Sequence, residues 1–264
     1  MSNGKLERVI LMGKKPGAAK ALRSLHARGI QVPFVLAKEH ETYQDTLSKA
    51  AHELNIEVLT DPDEVYRRIE GNHESIQNID LVISYLFWGR VKQPLIELAS
   101  RGCINFHPAP LPDYKSRAGY NTAILESRTE FGVSVHFIDS EKFDAGPIIT
   151  VLRFPINPET ETVIHLEKES QNKLEELFEE TMTLFQNKAE IQTTPNVGGL
   201  YLTAVQLEEL KKVDLNTESE EAIDRKIRAF FFPPYAGAYI EVGKKKYTLA
   251  NEEILKYIAE KLHD

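Results

Sequence analysis

Three polar residues stand at the ends of apolar stretches, where an active site would open. Asn105 and His107 end the segment CINFH, and Asp144 follows 39 residues after Asn105. A carboxamide can donate a hydrogen bond to developing negative charge, an imidazole can exchange a proton near neutral pH, and a carboxylate can hold the imidazole. The stretch PAPLP comes directly after His107, and its prolines restrict the backbone. This pattern indicates polar groups held in fixed positions, as catalysis requires.

Two other interpretations of these residues are open on spacing alone. In a structural one, Asn105 caps a turn, His107 is a buried histidine with its hydrogen bonds satisfied, and Asp144 shapes the turn that it begins. In the other interpretation, His107 and Asp144 bind a metal ion together with His136 and His165. No pair of these histidines has the tight spacing of a His-Glu-x-x-His motif, so no metal is predicted.

The first half of the chain alternates short apolar, β-branched runs with amphipathic stretches. This alternation is typical of a mostly parallel, Rossmann-like α/β sheet with helices on both faces, whose ligands bind beyond the carboxyl ends of the strands. Asn105 and His107 lie at such an end. The predicted elements, in chain order, are RVILMG, a helix over 17–28, VPFVLA, a helix over 43–54, IEVLT, a helix over 63–69, LVISYLFW, a helix over 94–100 and CINFH.

The second half continues the pattern and then changes character. A helix is predicted over 120–126, strands over GVSVHFID and PIITVLRF, and a long helix over 161–187. After the turn-rich residues 195–199, a short helix over 220–229 and a β-hairpin closing at KKKYTL are predicted. We therefore predict a catalytic domain over residues 1–190 and a small C-terminal subdomain with a β-hairpin over residues 200–264.

Composition limits the classes of function. The 264 residues carry a formal net charge of −8, which argues against nucleic-acid binding because that binding depends on basic residues at phosphates. The single cysteine, Cys103, excludes an intramolecular disulfide and fits a reducing compartment. No stretch has the length of a membrane span, and the first apolar run is too short for a signal peptide. We expect a cytoplasmic protein with no membrane or nucleic-acid partner.

Two motifs, in a fixed order, carry a specific resemblance. The stretch GCINFHPAPLPDYKSRAGYNTAI contains Asn-x-His-Pro-x-x-Leu-Pro-x-Tyr, and GVSVHFIDSEKFDAGPII contains a Gly-Val-x-x-His strand and an Asp-x-Gly-x-Ile turn. With the preceding strands and helices, residues 8–190 resemble the folate-dependent formyltransferases. The resemblance implies that Asn105, His107 and Asp144 form the catalytic triad and that N10-formyltetrahydrofolate is the formyl donor.

Transfer of a formyl group to an amine suits these residue types. The amine attacks the formyl carbonyl, the carbonyl oxygen gains negative charge, and the amine loses a proton. The amide of Asn105 and an N–H of His107 can donate to that oxygen, while Asp144 can hold His107 or a water. In the alternative assignment, His107 is the base that accepts the amine proton, and its protonation state stays open.

The same resemblance implies further contacts. The loop after the fourth strand is expected to line the pterin pocket through Leu86, Phe87, Trp88 and Gly89, with core packing as the alternative role of its aromatic rings. Polar residues after the catalytic loop are expected to contact the acceptor, and C-terminal aromatic residues are expected to stack on a nucleotide base. These are Lys115, Arg117, Tyr120, Asn121, Phe230, Phe232 and Tyr235. In the alternative interpretation, the polar residues simply lie in an exposed loop and the aromatic residues form a small C-terminal core.

The acceptor class follows from the C-terminal segment. KIRAFFFPPYAGAYIEVGKKKY resembles the Ile-Arg-Ala-Phe-x-Phe-Pro-Pro-Tyr-x-Gly-Ala segment of sugar N-formyltransferases. This implies a nucleotide-linked deoxyamino sugar as the acceptor, with UDP, dTDP and GDP all open. It also implies a role in lipopolysaccharide or O-antigen biosynthesis and a homodimer.

Other acceptors remain as alternatives. Initiator tRNA fits less well, because the chain is acidic and its C-terminal region is short. Glycinamide ribonucleotide is a second alternative. Water, as in formyltetrahydrofolate hydrolase, is a third, although that enzyme usually carries an N-terminal regulatory domain for which residues 1–7 leave no room. A catalytically silent folate-binding protein is disfavoured because all three triad residues are present.

Overall fold

A seven-stranded sheet organises the protein, whose computed structural model describes residues 5–187 and 190–263. Its strands are β1 (Val9–Gly13), β2 (Phe34–Ala37), β3 (Glu57–Leu59), β4 (Leu81–Tyr85), β5 (Cys103–His107), β7 (Glu130–Phe137) and β8 (Ile148–Pro155). They lie in the order β3-β2-β1-β4-β5-β7-β8. The first five are parallel, whereas β7 and β8 are antiparallel to their neighbours. The predicted fold class, a mostly parallel α/β sheet, is confirmed.

Helices cover both faces of this sheet, as predicted. One face packs against α1 (Lys15–Ala27), α2 (Leu47–Glu53), α4 (Gly119–Leu125) and α5 (Val163–Asn187), whose buried side chains share one core. The other face packs against α3 (Pro62–Glu70) and two short 3-10 turns. Because both faces are buried, the central strands read as continuous apolar runs, and a polar residue inside one of them requires a partner.

Several predicted helices have different bounds in the structure, and two of the differences have a local cause. α2 begins at Leu47 instead of residue 43, because the Thr46 hydroxyl caps it by accepting from the Lys49 N–H at 3.2 Å. The predicted helix over 94–100 is only a 3-10 turn, Leu95–Glu97, in which the Leu98 N–H bonds to the carbonyl three residues back. The long predicted helix begins at Val163 instead of residue 161.

A short parallel pair that the sequence did not predict joins the two halves of the chain. It consists of β6 (Tyr114–Ser116) and β9 (Leu200–Leu202). Gly199 precedes β9 with φ +82°, and a Cβ there would lie 1.6 Å from the Pro112 carbonyl oxygen. Only glycine permits so close an approach. β9 is therefore fixed against the end of the proline loop.

The remaining C-terminal elements follow β9. The structure contains the predicted helix, α7 (Glu220–Phe230), and the predicted hairpin, β10 (Tyr239–Val242) with β11 (Lys245–Thr248). It adds two helices that were not predicted, α6 (Ala204–Leu210) and α8 (Glu252–His263). α7 packs against α4, so this region contacts the catalytic part. The division into two domains stays a prediction, and its outer bounds, residues 1 and 264, lie outside the described residues.

Within the described part of the chain, every helix is too short or too polar to span a membrane.

Candidate active site

A row of three polar side chains crosses the sheet where its parallel and antiparallel parts meet. Strand register pairs Asn105 of β5 with Ser84 of β4 on one side and with His136 of β7 on the other. The Ser84 hydroxyl donates to Asn105 Oδ1 at 2.7 Å, and Asn105 Nδ2 lies 3.1 Å from His136 Nε2. Asn105 is therefore held by both neighbouring strands.

Asp144 reaches this row from a tightly closed turn. Its backbone is left-handed, with φ 49°, a conformation that aspartate adopts more readily than most residues. A Cβ on Gly146 would lie 2.0 Å from the Phe137 carbonyl oxygen, so the turn requires glycine at that position. Asn196 Nδ2 donates to the carbonyl oxygens of Asp144 and Gly146, each at 2.9 Å. These contacts fix the backbone of the turn and thereby the position of the Asp144 carboxylate.

The Asp144 carboxylate faces the side chains of Asn105, His107 and His136. Its Oδ1 atom lies 3.4 Å from both Asn105 Nδ2 and His107 Nδ1, and 3.5 Å from His136 Nε2. Its Oδ2 atom accepts from the Ser116 N–H at 2.8 Å. The predicted triad residues thus come together in one place.

Backbone carbonyl groups set which nitrogen of each histidine carries the proton. His107 Nε2 lies 3.0 Å from the Tyr114 carbonyl oxygen, and His136 Nδ1 lies 2.7 Å from the Phe137 carbonyl oxygen. A carbonyl oxygen only accepts, so both of these nitrogens donate. In the neutral rings, His107 Nδ1 and His136 Nε2 therefore carry the lone pairs that face Asp144 and Asn105.

Burial and charge shift two pKa values in this group. Burial lowers the pKa of His107, and this effect outweighs the opposing charge of Asp144. Burial alone would raise the pKa of Asp144, but His107, His136 and the Ser116 N–H together lower it to about 2. At neutral pH, Asp144 is a carboxylate and His107 Nδ1 is unprotonated. Their 3.4 Å separation, longer than a charge-assisted hydrogen bond, fits this state.

The proline loop is fastened to β7 by Ser134. Its hydroxyl donates to the Ala109 carbonyl oxygen at 2.7 Å and accepts from the Leu111 N–H at 2.8 Å. Ser134 is fully buried, so water does not compete for these bonds. The loop that follows Asn105 and His107 is thereby held at its middle.

A cleft of ≈ 590 Å³ opens beside the triad. The four residues predicted for the donor, Leu86, Phe87, Trp88 and Gly89, all line it. The rings of Phe87 and Trp88 lie 4.7 Å apart, and the Arg90 guanidinium lies 5.1 Å from the ring of Phe143 on the turn that carries Asp144. One wall of the cleft is therefore aromatic and leads to the triad.

Of the residues predicted for the acceptor, Arg117 and Tyr235 line the same cleft. Lys115 Nζ instead donates to the Asn196 carbonyl oxygen at 3.2 Å. Asn121 Nδ2 donates to the Ala229 carbonyl oxygen at 2.6 Å, which ties α4 to α7.

The other three aromatic residues predicted for the acceptor lie elsewhere. The Tyr120 ring packs on Phe131, and Phe230 is buried in the core. Phe232 lines a separate apolar pocket beside Ile164 and Tyr257, and its ring stacks on Tyr235.

Several cleft residues were missed by the sequence analysis. Lys14 follows β1 at the same edge of the sheet, and burial, with Lys15 and Lys38 nearby, lowers its pKa. Ser84 is the polar residue within the apolar run LVISY, which is a signal that could have identified it. Tyr201 lies in β9, which is too short for a periodic pattern. Local sequence gave no sign that Tyr201 reaches the cleft.

Among residues 5–187 and 190–263, no three His, Cys, Asp or Glu side chains are grouped so that they could hold a metal ion. His165, considered for such a site, has its Nδ1 atom 2.7 Å from Glu161 Oε1.

Comparisons with known proteins agree with this geometry. Residues 4–182 match the sequence model of a family described as formyl transferase. A methionyl-tRNA formyltransferase of Neisseria meningitidis serogroup C is 26% identical over 266 residues, covering 94% of this chain and 82% of that protein. A GDP-perosamine N-formyltransferase of Brucella melitensis is 26% identical over 259 residues, covering 94% of each.

A solved structure is similar as well. The N-formyltransferase of Helicobacter canadensis, crystallised with folinic acid and dTDP-3-aminofucose, superposes with a TM-score of 0.71 at 25% identity. The match covers 93% of this chain and 89% of that one.

Proposed function

The chain belongs to the formyl transferase family, and from this premise we propose that it transfers the formyl group of N10-formyltetrahydrofolate to the primary amine of a nucleotide-linked deoxyamino sugar. The observation that carries the proposal is the convergence of Asn105, His107 and Asp144 on one side of a cleft. The similarity to a GDP-perosamine N-formyltransferase over 94% of both chains supports a sugar as the acceptor.

The cleft fits the formyl donor. A pterin is a flat ring system with polar edges, and the wall formed by Phe87, Trp88 and Phe143 offers flat apolar surface beside Asn105. Leu86 has a left-handed backbone, φ 55°, at the point where this wall begins, which turns the chain around the cleft. These residues would hold the donor. When bound, the donor supplies a formyl carbonyl that is open to attack by an amine.

Asn105 stabilises the negative charge that develops on the formyl oxygen. Its Nδ2 atom has two hydrogens, of which one is directed to His136 at 3.1 Å and the other to Asp144 at the longer distance of 3.4 Å. The second hydrogen is the one available to a substrate oxygen. A preorganised donor of this kind is typically worth a factor of about 10² to 10³ in kcat.

His107 accepts the proton that the amine loses. Its Nε2 atom is engaged with the Tyr114 carbonyl oxygen, which leaves Nδ1 as the basic atom. Asp144, 3.4 Å from Nδ1, stabilises the imidazolium that results. Of the two roles that the sequence left open for His107, the base is the one that this arrangement supports.

The cleft also carries groups suited to a nucleoside diphosphate. Lys14 and Arg117 line it and can neutralise phosphate charge, and the exposed rings of Tyr201 and Tyr235 can stack on a base. A sugar amine held by these groups would reach the triad from the side of the C-terminal segment.

One alternative has specific support. The similarity to a methionyl-tRNA formyltransferase favours initiator tRNA as the acceptor. The net charge of −8 favours the sugar, because tRNA binding requires many cationic contacts to phosphates.

The proposal also covers the compartment, the biosynthetic pathway and the oligomeric state of the protein. We place it in the cytoplasm, in the synthesis of lipopolysaccharide or O-antigen, because an activated sugar serves as the acceptor and the one cysteine, Cys103, is buried and free. A homodimer is supported by exposed apolar side chains on the C-terminal hairpin and α8, namely Val242, Tyr247 and Leu255. Light scattering coupled to size-exclusion chromatography measures this directly.

Product analysis by mass spectrometry tests the proposal. The protein would be mixed with N10-formyltetrahydrofolate and, separately, with UDP-, dTDP- and GDP-linked 3-amino and 4-amino deoxysugars, methionyl-tRNA and glycinamide ribonucleotide. We expect one nucleotide sugar to gain about 28 Da, because a formyl group, CHO, replaces one hydrogen of its amine. Formylation of tRNA alone, or loss of the formyl group to water in every mixture, would overturn it.

A further inference from the structure

The hydrogen bonds around Asn105 form a chain that has only one direction. It begins at the Phe137 carbonyl oxygen, which can only accept, so His136 Nδ1 donates to it at 2.7 Å. Neutral His136 then has its lone pair on Nε2, which accepts from Asn105 Nδ2 at 3.1 Å. With its nitrogen placed there, Asn105 presents Oδ1 to the Ser84 hydroxyl, which donates at 2.7 Å. Each bond fixes the direction of the next.

The reversed orientation of the Asn105 amide is excluded by the same contacts. A flip would place Oδ1 where Nδ2 now lies, 3.1 Å from the lone pair of His136 Nε2 and 3.4 Å from Asp144 Oδ1. Three acceptors would then face one another without a hydrogen between them. The Ser84 hydroxyl can donate or accept, so His136 and Asp144 select the orientation and Ser84 anchors the Oδ1 end of the amide that results. Ser84 and His136 are 3% and 2% exposed, so solvent has little access to replace either partner.

We propose that Ser84 is a positioning residue for the reaction, which acts by holding the Asn105 amide with its Nδ2–H directed to the reacting oxygen. Ser84 lies on β4 at the floor of the cleft, it is 3% exposed, and its hydroxyl donates to Asn105, its register partner on β5. His136 holds the amide from β7 on the opposite side. The inference rests on the proposed function, because it gives Ser84 a task only if Asn105 stabilises a developing charge.

The expected kinetic effect is on kcat. A neutral hydrogen bond contributes a factor of roughly three to ten, so Ser84→Ala should lower kcat by that factor. KM should change less than about twofold, because an oriented amide acts on charge that exists only in the transition state. Ser84→Thr retains the hydroxyl on a β-branched side chain that suits a strand, and it should restore most of the lost activity.

A double-mutant cycle separates positioning from general packing. In the Asn105→Ala background, Ser84→Ala should have no further effect on kcat, because the group that it positions is gone. Ser170→Ala is the matched control, since Ser170 is also a fully buried serine and does not line the cleft. We expect wild-type kcat in this control. Wild-type kcat in Ser84→Ala, or an equal loss in both backgrounds, would overturn the inference.

A second measurement does not depend on turnover. The Asn105 side-chain amide signals in a ¹⁵N spectrum, assigned by their loss in Asn105→Ala, report hydrogen exchange of the Nδ2 group. In Ser84→Ala this exchange should become faster, by roughly the same threefold to tenfold, whereas Ser170→Ala should leave it unchanged. An unchanged hydrogen-exchange rate in Ser84→Ala would contradict the positioning role. If the wild-type protein formylates no acceptor, the proposed function fails and this measurement still decides the role of Ser84.

Discussion

Asn196 closes the turn of Asp144 from a part of the chain 52 residues away. Its Nδ2 atom donates to the carbonyl oxygens of Asp144 and Gly146, at 2.9 Å each, so both of its hydrogens are used on one turn. The position of the Asp144 carboxylate thus depends on a residue beyond the long helix α5.

Asn196→Ala should therefore loosen the carboxylate without removing it. We expect kcat to fall about tenfold, since small displacements of a catalytic group are costly, and the thermal midpoint to fall by a few degrees for two lost hydrogen bonds worth about 1 kcal/mol each. Steady-state kinetics and thermal unfolding measure the two effects. Asn172→Ala is the control, because its amide donates to Glu169 on the exposed surface of α5, away from the turn of Asp144. An unchanged kcat in Asn196→Ala would refute the dependence.

Removal of a triad side chain should abolish most turnover and leave the fold cooperative. We expect Asn105→Ala, His107→Ala and Asp144→Ala each to lower kcat about a hundredfold or more, because the proposed mechanism gives each side chain a role at the reacting atoms. Single-turnover mass spectrometry and thermal unfolding check activity and fold. His40→Ala, at a highly exposed histidine, is the control. Near wild-type turnover in any triad variant would remove that residue from the mechanism.

The pH dependence of activity follows from the state of His107. Burial lowers its pKa below the usual value of 6.5, so Nδ1 stays available as a base to lower pH than an exposed histidine would allow. We expect the acidic limb of log kcat/KM against pH to lie below pH 6.5. An NMR titration of His107 should give the same pKa, and a lower one in Asp144→Asn, because the charge of Asp144 raises it. An acidic limb above pH 6.5 would exclude His107 as the base.

Stability should also depend on these two groups. The unfolded chain protonates His107 first as pH falls below 6.5, so the free energy of unfolding decreases there. Asp144, with its pKa lowered to about 2, stabilises the fold fully above pH of about 4, and this contribution is lost as pH falls towards 2. Urea unfolding between pH 7 and pH 2 measures both effects. Asp144→Asn should flatten the lower part of the curve.

Tyr235 should affect binding of the acceptor more than chemistry. It is 70% exposed, lines the cleft and stacks on Phe232, so its free face is open to a base. Base stacking on an aromatic ring is worth about 1–3 kcal/mol, so Tyr235→Ala should raise KM for the nucleotide sugar about tenfold or more and leave kcat within about twofold. Tyr43→Ala, at an exposed tyrosine outside the cleft, is the control. An unchanged KM would remove Tyr235 from the acceptor site.

Tyr85→Phe should stabilise the protein. The Tyr85 hydroxyl is buried and has no hydrogen-bond partner among the described residues, so its removal relieves a desolvation cost of about 1 kcal/mol. The thermal midpoint should rise by about 2–4 °C. Tyr66→Phe is the matched comparison, because the Tyr66 hydroxyl accepts from the Lys92 N–H at 3.0 Å and its removal should destabilise. A lower midpoint for Tyr85→Phe would mean that its hydroxyl has a partner in solution.

Local patterns predicted those parts of the fold and site that depend on local sequence. The apolar runs of β1, β2, β4 and β5 predicted the parallel sheet, because burial on both faces leaves a continuous apolar signature. The proline loop and the Asp-Ala-Gly turn predicted the three polar residues that converge, because Asn105 and His107 lie at the end of β5 and Asp144 lies in the turn between β7 and β8.

The site residues that the sequence did not predict are positioned by contacts between distant parts of the chain. Asn196 and Tyr201 reach the site because β9 pairs with β6, and two strands of three residues leave no periodic signal. The side chains of Lys115, Tyr120 and Asn121 are directed by contacts with Asn196, Phe131 and Ala229, respectively, which their neighbours in sequence do not encode. Their contact with the acceptor stays a prediction.

Because β6 pairs with β9, a shortened chain can contain all three triad residues and still lack part of the site. A chain ending at residue 182 would contain Asn105, His107 and Asp144, together with the whole region that matches the family. It would lack the amide that closes the Asp144 turn and the strand that covers the proline loop. A truncation at the family boundary would therefore preserve every reacting group and still discard part of the framework that holds them.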